Sequence, residues 1–381
     1  MSRIVAIGDC VETCETWNPA ASAPEETFRY IDLSSVDRDK KRIASAEAIP
    51  RGSAPSRARQ LVKSGDVLVS TVRPNLNGVA MVPLDLDGAT ASTGFTVLRA
   101  QEGRLDRSYL YHWVKNPRFI DDMVRKATGA NYPAVSDRIV RESLIPLPVL
   151  PEQRRIAAIL DKADALRTKR REAIAKLDQL LQSVFLDMFG EPLSNPQSWP
   201  KRPLTDVARV QTGGTPPTSE AGMFDGEIPF VTPGDLGGIV GKTNRTVTQK
   251  GAEKIRAALA GSTLVCCIGA TIGKMGFVER DSTFNQQINA VTWGDEVRPL
   301  YGYHAMRFLS AEIAHRGAST TLPILKKSEF EKLTVVVPPR LEQERFCRFA
   351  QQVALKAGLL QRSSDATEML FSSLQHHMFE V

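Results

Sequence analysis

The stretch Pro-Val-Leu-Pro-Glu-Gln at residues 148–153 decides the fold of this chain, because it returns as Pro-Pro-Arg-Leu-Glu-Gln at residues 338–343. The offset of 190 residues then holds without a gap over a helix-length stretch, so that Met188-Phe189 matches Met378-Phe379. A repeat near half the length of a 381-residue chain indicates that one unit was built and used twice. The protein is therefore expected to act at two related places.

Each copy of this stretch opens a long helix. In residues 152–187 apolar side chains recur near the spacing of one helical stripe, and Gly190 ends the pattern. Such a helix would measure roughly 54 Å, which is typical of a coiled coil. The second copy runs from about Leu341 to the C-terminus, and Gly358 predicts the weaker helix, because glycine costs about 1 kcal/mol relative to alanine. Matching stripes predict that the two helices pair in antiparallel fashion.

The segments before the two helices also resemble each other. Residues 65–78 align with 261–274, and residues 129–135 align with 319–325. Most of these stretches combine a short β-type run with a polar loop. The chain is therefore predicted to be mixed α/β, with a globular domain before each helix and with segments at 1–143, 144–190, 191–331 and 332–381.

Composition sets broad limits on function. Hydrophobic residues at 42% and charged residues at 24% are ordinary for a soluble globular protein. The sequence has neither an apolar run of the roughly 18 to 20 residues that cross a bilayer nor the pattern of a signal peptide, so a cytoplasmic location is expected. A net charge of +6 is compatible with nucleic acid but does not establish it. The five scattered cysteines lack the spacing of a zinc site.

Motifs of catalysis do not emerge from the sequence. Residues 195–199 differ from the Asn/Asp-Pro-Pro-aromatic motif with which adenine methyltransferases hold a flipped base, and residues 237–243 and 269–274 only approximate phosphate loops. The five histidines offer no metal-ligand pair and no partnered nucleophile. Tyr111-His112 and Tyr303-His304 match between the copies, which indicates a helix-packing pair rather than a duplicated active site.

The order of these parts resembles one known family. The two helix entries, the strand and loop at residues 67–74, and residues 213–216 leading to 228–236 are similar to the DNA-specificity (S) subunit of type I restriction-modification systems, over essentially the whole chain. The resemblance implies that each globular domain is a target-recognition domain for one half of a split DNA sequence. It also implies that the helices form a spacer that seats two methyltransferase (M) subunits, in a complex with restriction/translocase (R) subunits.

The resemblance further implies that this chain binds no cofactor itself. The complex is expected to use S-adenosylmethionine, and ATP with Mg in its restriction form. Base reading requires donors and acceptors at groove edges, with phosphate contacts fixing the register. The DNA-binding candidates are polar side chains of loops: Arg73, Asn75, Asn77, Asn131, Tyr132, Thr215, Thr271, Lys274, Gln286, Gln287, Thr320, Thr321, Lys326 and Lys327.

A second set of candidates lies on the two helices. The candidates for the spacer and for partner binding are Glu152, Gln153, Arg155, Ile159, Leu166, Leu177, Leu181, Glu342, Gln343, Arg345, Leu359 and Leu370. The cations at residues 167–171 fit either a solvated helix face or a seat for an acidic partner. Turn geometry explains Gly78 and Gly273 better than contact with DNA does.

Two other functions stay open from the sequence. The chain could be a duplicated DNA-acting enzyme with an unrecognised active site, or a coiled-coil adaptor that does not touch DNA. Methyl transfer or cleavage by the purified chain alone would favour the enzyme. An adaptor would show no sequence preference and little dependence of binding on salt.

The long helices predict a measurable spacing between the two halves of the target. If helix length fixes the separation of the half-sites, at about one DNA turn or 34 Å, deleting whole heptads changes the spacer and leaves both half-sites as they were. Methylation profiling of the deletion variant measures this, and an unaltered spacer would count against the helices as a ruler.

Overall fold

The computed structural model describes residues 3–21, 24–318 and 323–379. Contacts divide the chain into two compact units, which we call unit 1 (Met1–Arg171 with Arg362–Val381) and unit 2 (Glu172–Gln361). Each unit thus contains one globular region and half of each long helix, whereas the four-segment division stays a prediction. None of the helices in the described ranges is long and apolar enough to cross a membrane.

Unit 1 is built on an antiparallel sheet of four strands and a mixed sheet of five. The four-stranded sheet has the order β10-β9-β12-β2, and the five-stranded sheet has the order β3-β8-β11-β4-β7, in which β11 and β4 run parallel. Two further antiparallel pairs are β1-β13 and β5-β6. The strands are β1 Arg3–Ala6, β2 Val11–Glu12, β3 Glu15–Thr16, β4 Thr27–Ile31, β5 Val36–Asp37, β6 Arg42–Ile43, β7 Glu47–Pro50, β8 Ala58–Leu61, β9 Val67–Ser70, β10 Val79–Met81, β11 Thr90–Ser92, β12 Phe95–Ala100 and β13 Leu144–Leu147.

The helices of unit 1 cover the four-stranded sheet. They are α1 Arg107–Val114, α2 Pro117–Lys126 and α3 Asp137–Glu142, followed by the first half of α4 Leu150–Phe189. Asp106, Asn116 and Ser136 cap the three short helices through their side-chain oxygens, which satisfy free backbone N–H groups. The central core joins β9 to these helices and includes Phe371 and Phe379 from the C-terminal end of the chain.

Unit 2 repeats this design. Its five-stranded sheet has the order β15-β23-β20-β21-β17, and its four-stranded sheet has the order β18-β16-β22-β19, in which β16 and β22 run parallel. An antiparallel pair, β14-β24, closes the unit as β1-β13 closes unit 1. The strands are β14 Lys201–Pro203, β15 Ala208–Thr212, β16 Phe224–Val231, β17 Ile239–Val240, β18 Arg245–Val247, β19 Ala257–Ala258, β20 Thr263–Cys266, β21 Met275–Val278, β22 Ser282–Phe284, β23 Ile288–Trp293 and β24 Thr334–Val336.

Besides the second half of α4, unit 2 has six helical segments in the described ranges, of which the last four follow one another as α1 to α4 do in unit 1. They are α5 Leu204–Val207, α6 Gln249–Ala252, α7 Pro299–Arg307, α8 Ser310–Gly317, α9 Lys327–Phe330 and the first half of α10 Arg340–Met378. Phe185 and Phe189 of α4 pack on Tyr301 of α7 and Phe346 of α10. This aromatic cluster is the centre of the core.

The long helices pair in antiparallel fashion, as predicted. In unit 1 the first half of α4 lies beside the second half of α10, where Arg167 forms an ion pair with Glu368. In unit 2 the second half of α4 contacts the first half of α10 through Phe185 and Phe346. Gly358 does not interrupt α10, which runs unbroken over 39 residues.

A buried glutamine fixes the start of each long helix. The Gln153 side chain accepts a hydrogen bond from the backbone N–H of Asp106 (2.8 Å) and donates to the carbonyl oxygens of Arg104 (3.0 Å) and Pro148 (2.9 Å). Gln343 makes the same three contacts with Arg298, Glu296 and Pro338. Both glutamines are at most 1% exposed. We call Gln153 and Gln343 the entry glutamines; their amides are used inside their own units.

A tyrosine reinforces each entry glutamine. The Tyr109 hydroxyl donates to the Pro146 carbonyl (2.8 Å) in unit 1, and the Tyr301 hydroxyl donates to the Val336 carbonyl (2.9 Å) in unit 2. Their neighbours His112 and His304 are both buried. In the matched pairs Tyr111-His112 and Tyr303-His304, Tyr303 is also buried and Tyr111 is half-buried, and their helix-packing role stays a prediction.

Replacing an entry glutamine is expected to destabilise its own unit. Gln153→Ala leaves one N–H and two carbonyl groups without their partner in a buried place, so unfolding should become easier by about 3 kcal/mol. Urea denaturation measures the change. Arg154→Ala, an exposed position in the same turn, is the control and should change stability by less than about 0.5 kcal/mol. Equal stability of the two variants would contradict this role.

Candidate nucleic-acid interface

Two loops are joined at the edge of unit 1. The first follows β9 and the second precedes α3. The Val135 N–H donates to the Thr71 carbonyl (2.9 Å), and the Arg73 N–H donates to the Pro133 carbonyl (2.7 Å). These bonds fix the base of both loops and leave Asn75, Asn131 and Tyr132 exposed at their tips.

Unit 2 joins its two loops with the same bonds. The Leu325 N–H donates to the Cys267 carbonyl (2.9 Å), and the Gly269 N–H donates to the Pro323 carbonyl (2.9 Å). An isolated bridge between Ile268 and Ile324 matches the one between Val72 and Ala134. The loops that the sequence aligned as copies therefore form one paired-loop site in each unit.

The two sites differ in the residues that adopt left-handed backbone. In unit 2 these are Gly269 (φ 95°) and Gly273 (φ 87°), which pay no steric penalty. The aligned positions of unit 1 are Arg73 (φ 50°) and Asn77 (φ 45°). A side chain in this conformation costs on the order of 1 kcal/mol, and such strain is concentrated at functional sites.

The turn-geometry prediction is thus confirmed for Gly273. It is wrong for Gly78, whose φ is not positive. A Cβ on Gly78 would lie 3.0 Å from the Cβ of Ser70, so close approach explains this glycine.

The guanidinium of Arg73 lies over the ring of Tyr132, 4.5 Å from its centroid. Tyr132 is 69% exposed, and Arg73 forms no ion pair within the part of the chain that the structure describes. Stacking positions the planar cation while leaving its N–H donors available. The Arg73 guanidinium is therefore held in place, carries an unpaired positive charge and exposes its N–H donors to solvent.

The hairpin of β5 and β6 is a part of this site that the sequence reasoning missed. The Lys41 amine donates to the Asn77 carbonyl (2.6 Å), and the Tyr111 hydroxyl donates to the Lys41 carbonyl (2.7 Å). The hairpin thereby carries exposed Arg38 and Arg42 next to the first loop. The charge run at residues 38–42 was the available signal.

Several candidates of unit 2 have structural duties. The Lys274 amine donates to the Pro233 carbonyl (3.1 Å), and the Gln287 amide donates to the Ile268 carbonyl (3.4 Å). The hydroxyl of Thr215 donates to the side-chain oxygen of Gln286 (2.6 Å), and both residues are exposed. Gln286 therefore keeps its amide N–H₂ group for a ligand.

The other candidates of unit 2 are distributed around the same edge. Thr271 and Lys326 are exposed, and Lys327 pairs with Glu331 at 3.2 Å. Thr320 and Thr321 lie outside the described residues.

The helical candidates divide by exposure. Glu152 pairs with Arg155, and Glu342 pairs with Arg345, both on the helix surface. Leu181 is buried in the core of unit 2, while Ile159 and Leu177 are half-buried. The exposed apolar candidates are Leu166 (52%), Leu359 (55%) and Leu370 (59%).

We examined one buried thiol as a nucleophile and the described residues for a metal site. Burial raises the pKa of the Cys267 thiol to about 12, which keeps it protonated. In residues 3–21, 24–318 and 323–379 no cluster of His, Cys, Asp and Glu is arranged to hold a metal ion.

Comparison with known proteins identifies the chain. The profile of the family described as Type I restriction modification DNA specificity domain matches residues 55–177 and 196–365, which is most of the sequence. The type I restriction enzyme MjaIX specificity subunit of Methanocaldococcus jannaschii is 22% identical over 352 residues, covering 85% of this chain and 77% of that relative.

Solved structures agree with the sequence comparison. One, from a study of complex assembly and conformational transition of the type I R-M system, is 26% identical with a TM-score of 0.57 and covers 99% of this chain and 97% of its own. The S subunit from M. genitalium shares the fold, with 14% identity, a TM-score of 0.63, and coverage of 100% of this chain and 96% of its own. The chain therefore belongs to the family of type I restriction-modification DNA specificity subunits, which recognise DNA and do not catalyse.

Proposed function

We propose that the chain reads a bipartite DNA target, with one half-site at the paired loops of each unit. Each site offers polar side chains on two loops, and backbone hydrogen bonds hold the ends of these loops in place. Such positioning lowers the entropic cost of holding donors and acceptors at base edges. The exposed cations Arg38 and Arg42 would contact phosphates beside the site of unit 1.

The observation that carries this proposal is the conformation of Arg73. The chain holds an arginine in left-handed backbone where the other unit has a glycine, and leaves its charge without a carboxylate. A guanidinium in that state suits the N7 and O6 acceptors of guanine in the major groove. In unit 2, the Gln286 amide, oriented by Thr215, suits adenine.

The proposal extends to the assembly. Two methyltransferase (M) subunits would bind the helical pair, supplying S-adenosylmethionine chemistry, and restriction/translocase (R) subunits would use ATP with Mg. Each unit has an exposed apolar set on its helices that fits this role, with Leu166 and Leu370 in unit 1 and Leu355 and Leu359 in unit 2. The cytoplasm, where DNA and these partners meet, is the expected location.

The variant Arg73→Gly is expected to impair DNA recognition while leaving the stability of the protein nearly unchanged. Glycine relieves the left-handed strain but loses the stacking on Tyr132, so the free energy of unfolding should stay within about 1 kcal/mol. Losing a bidentate guanine contact should cost about 2 kcal/mol, or roughly thirtyfold in methylation at the target, and relax one base pair of one half-site. Methylome sequencing with the methyltransferase subunits present measures both.

Arg73→Ala is the matched control for this experiment. It also removes the guanidinium but keeps the left-handed strain, so recognition should fall equally while stability falls further. Full methylation of an unchanged target by both variants would refute the role of Arg73.

Substitution of the exposed leucines tests partner binding. Leu359→Arg and Leu370→Arg each place a charge in one apolar set, so each should weaken binding of one methyltransferase subunit at least tenfold. Folding should be unaffected, because both side chains are already exposed. Analytical ultracentrifugation should then show one bound subunit in place of two. Gln352→Arg, an exposed polar position of α10, is the control, and two subunits bound to both leucine variants would contradict the proposal.

A further inference from the structure

Unit 2 contains a small cavity. Its volume is about 110 Å³, and its lining consists of Gln182, Phe185, His304, Arg307 and Phe308. The cavity lies between α7 and the second half of α4. Its lining combines aromatic walls with three polar groups.

His304 faces this cavity without a partner. It is 6% exposed, and its ring packs against Tyr303 and Phe346 at centroid distances of 5.0 and 5.2 Å. No residue in the described ranges forms a hydrogen bond with its imidazole. The ring nitrogens of His304 are not fully shielded from solvent, so a ligand in the cavity can reach the imidazole.

In unit 1 the residues that correspond to His304 and Arg307 are paired with carboxylates of the same chain. His112, the counterpart of His304, contacts Asp161 through Nε2 at 2.7 Å. Lys115, the counterpart of Arg307, donates to Asp164 at 2.6 Å. Two carboxylates from the long helix therefore pair with His112 Nε2 and with the Lys115 amine, while His112 Nδ1 is buried without a hydrogen-bond partner in the described residues.

Unit 2 lacks both of these carboxylates. At the repeat offset of 190 residues, Gln351 takes the place of Asp161 and Ala354 takes the place of Asp164. Arg307 instead binds Asp178 of α4 through two hydrogen bonds of 2.7 and 2.8 Å. Among the residues that the structure describes, no carboxylate forms the equivalent contact with His304.

We propose that the cavity beside His304 binds a carboxylate, which supplies to unit 2 what Asp161 supplies to unit 1. The imidazole N–H would donate to one carboxylate oxygen. The Gln182 amide, which also donates to Asp178 (2.9 Å), and the Arg307 guanidinium line the space for the other oxygen. A carboxylate of a few atoms matches the volume, either as a free small acid or as an acidic side chain of a bound protein.

The electrostatics of the cavity agree with this assignment. Burial, and then the charge of Arg307, lower the pKa of His304 to about 3, while Asp178 opposes them. The Arg307 hydrogen bonds lower the pKa of Asp178, so that carboxylate is ionised and already engaged. The imidazole is thus neutral at pH 7 and keeps one N–H to donate.

Formate is the probe for this site. In the full chain with ¹⁵N-labelled histidines, formate titrated at pH 7 should shift the His304 ring signals saturably, with an apparent Kd in the millimolar range. His304→Gln assigns the signal. His112, whose carboxylate is built in, should not respond, and sodium chloride at equal ionic strength should produce no saturable shift.

Gln351→Asp supplies the carboxylate from the chain itself. This exposed position allows the change without disturbing the core. The variant should show the His304 shift without formate and bind formate at least tenfold more weakly. Gln352→Asp is the matched control and should keep the wild-type formate response. An unchanged formate affinity in Gln351→Asp overturns the assignment.

A second experiment, on the complex with methyltransferase subunits, distinguishes the two sources of the carboxylate. Only this experiment rests on the proposed function. If a bound methyltransferase subunit inserts an acidic side chain, the complex should show the His304 shift before formate is added and no further response. If the ligand is a free acid, the complex should respond to formate as the isolated chain does. Absence of any His304 response in both the isolated chain and the complex overturns the proposal.

Discussion

The architecture depends on one buried carboxamide in each unit. An entry glutamine accepts one backbone hydrogen bond and donates two, and it ties the start of a long helix to the loop before α1 or α7. Asparagine is shorter by one methylene group, and glutamate has no N–H group to donate. Because the two glutamines make identical contacts, each globular region holds its helix in the same way.

This shared frame allows the loop tips to diverge. The backbone bonds at the base of each paired-loop site are the same, but their surroundings differ. In unit 1, Lys41 reaches from the hairpin to the loop carbonyl of Asn77, whereas in unit 2 Lys274 reaches from the loop to the carbonyl of Pro233. In both units a lysine amine ties the first loop to a neighbouring segment, but the lysine belongs to that segment in unit 1 and to the loop in unit 2. Because the scaffold does not depend on the loop tips, the two recognition surfaces can evolve separately.

The sequence predicted the features that arise from the repeat. The two long helices, their antiparallel pairing and the matched loops all follow from an offset and a periodicity. The roles of Lys274 and Gln287 did not, because a long side chain that bonds a distant carbonyl leaves no local pattern. The strain at Arg73 was equally invisible, since a left-handed arginine is disfavoured by its own propensity and is stabilised by tertiary contacts.

The division of the long helices between the units has a consequence for synthesis. Unit 2 is one continuous segment, Glu172–Gln361, while unit 1 needs Arg362–Val381 as well as the first part of the chain. Phe379 packs on Tyr109 and Trp113, and Asn116 bonds the Gln375 carbonyl. Unit 1 therefore begins before unit 2 along the chain but is completed after it, and a nascent chain exposes an unfinished apolar core of unit 1 until residues 362–379 have been made.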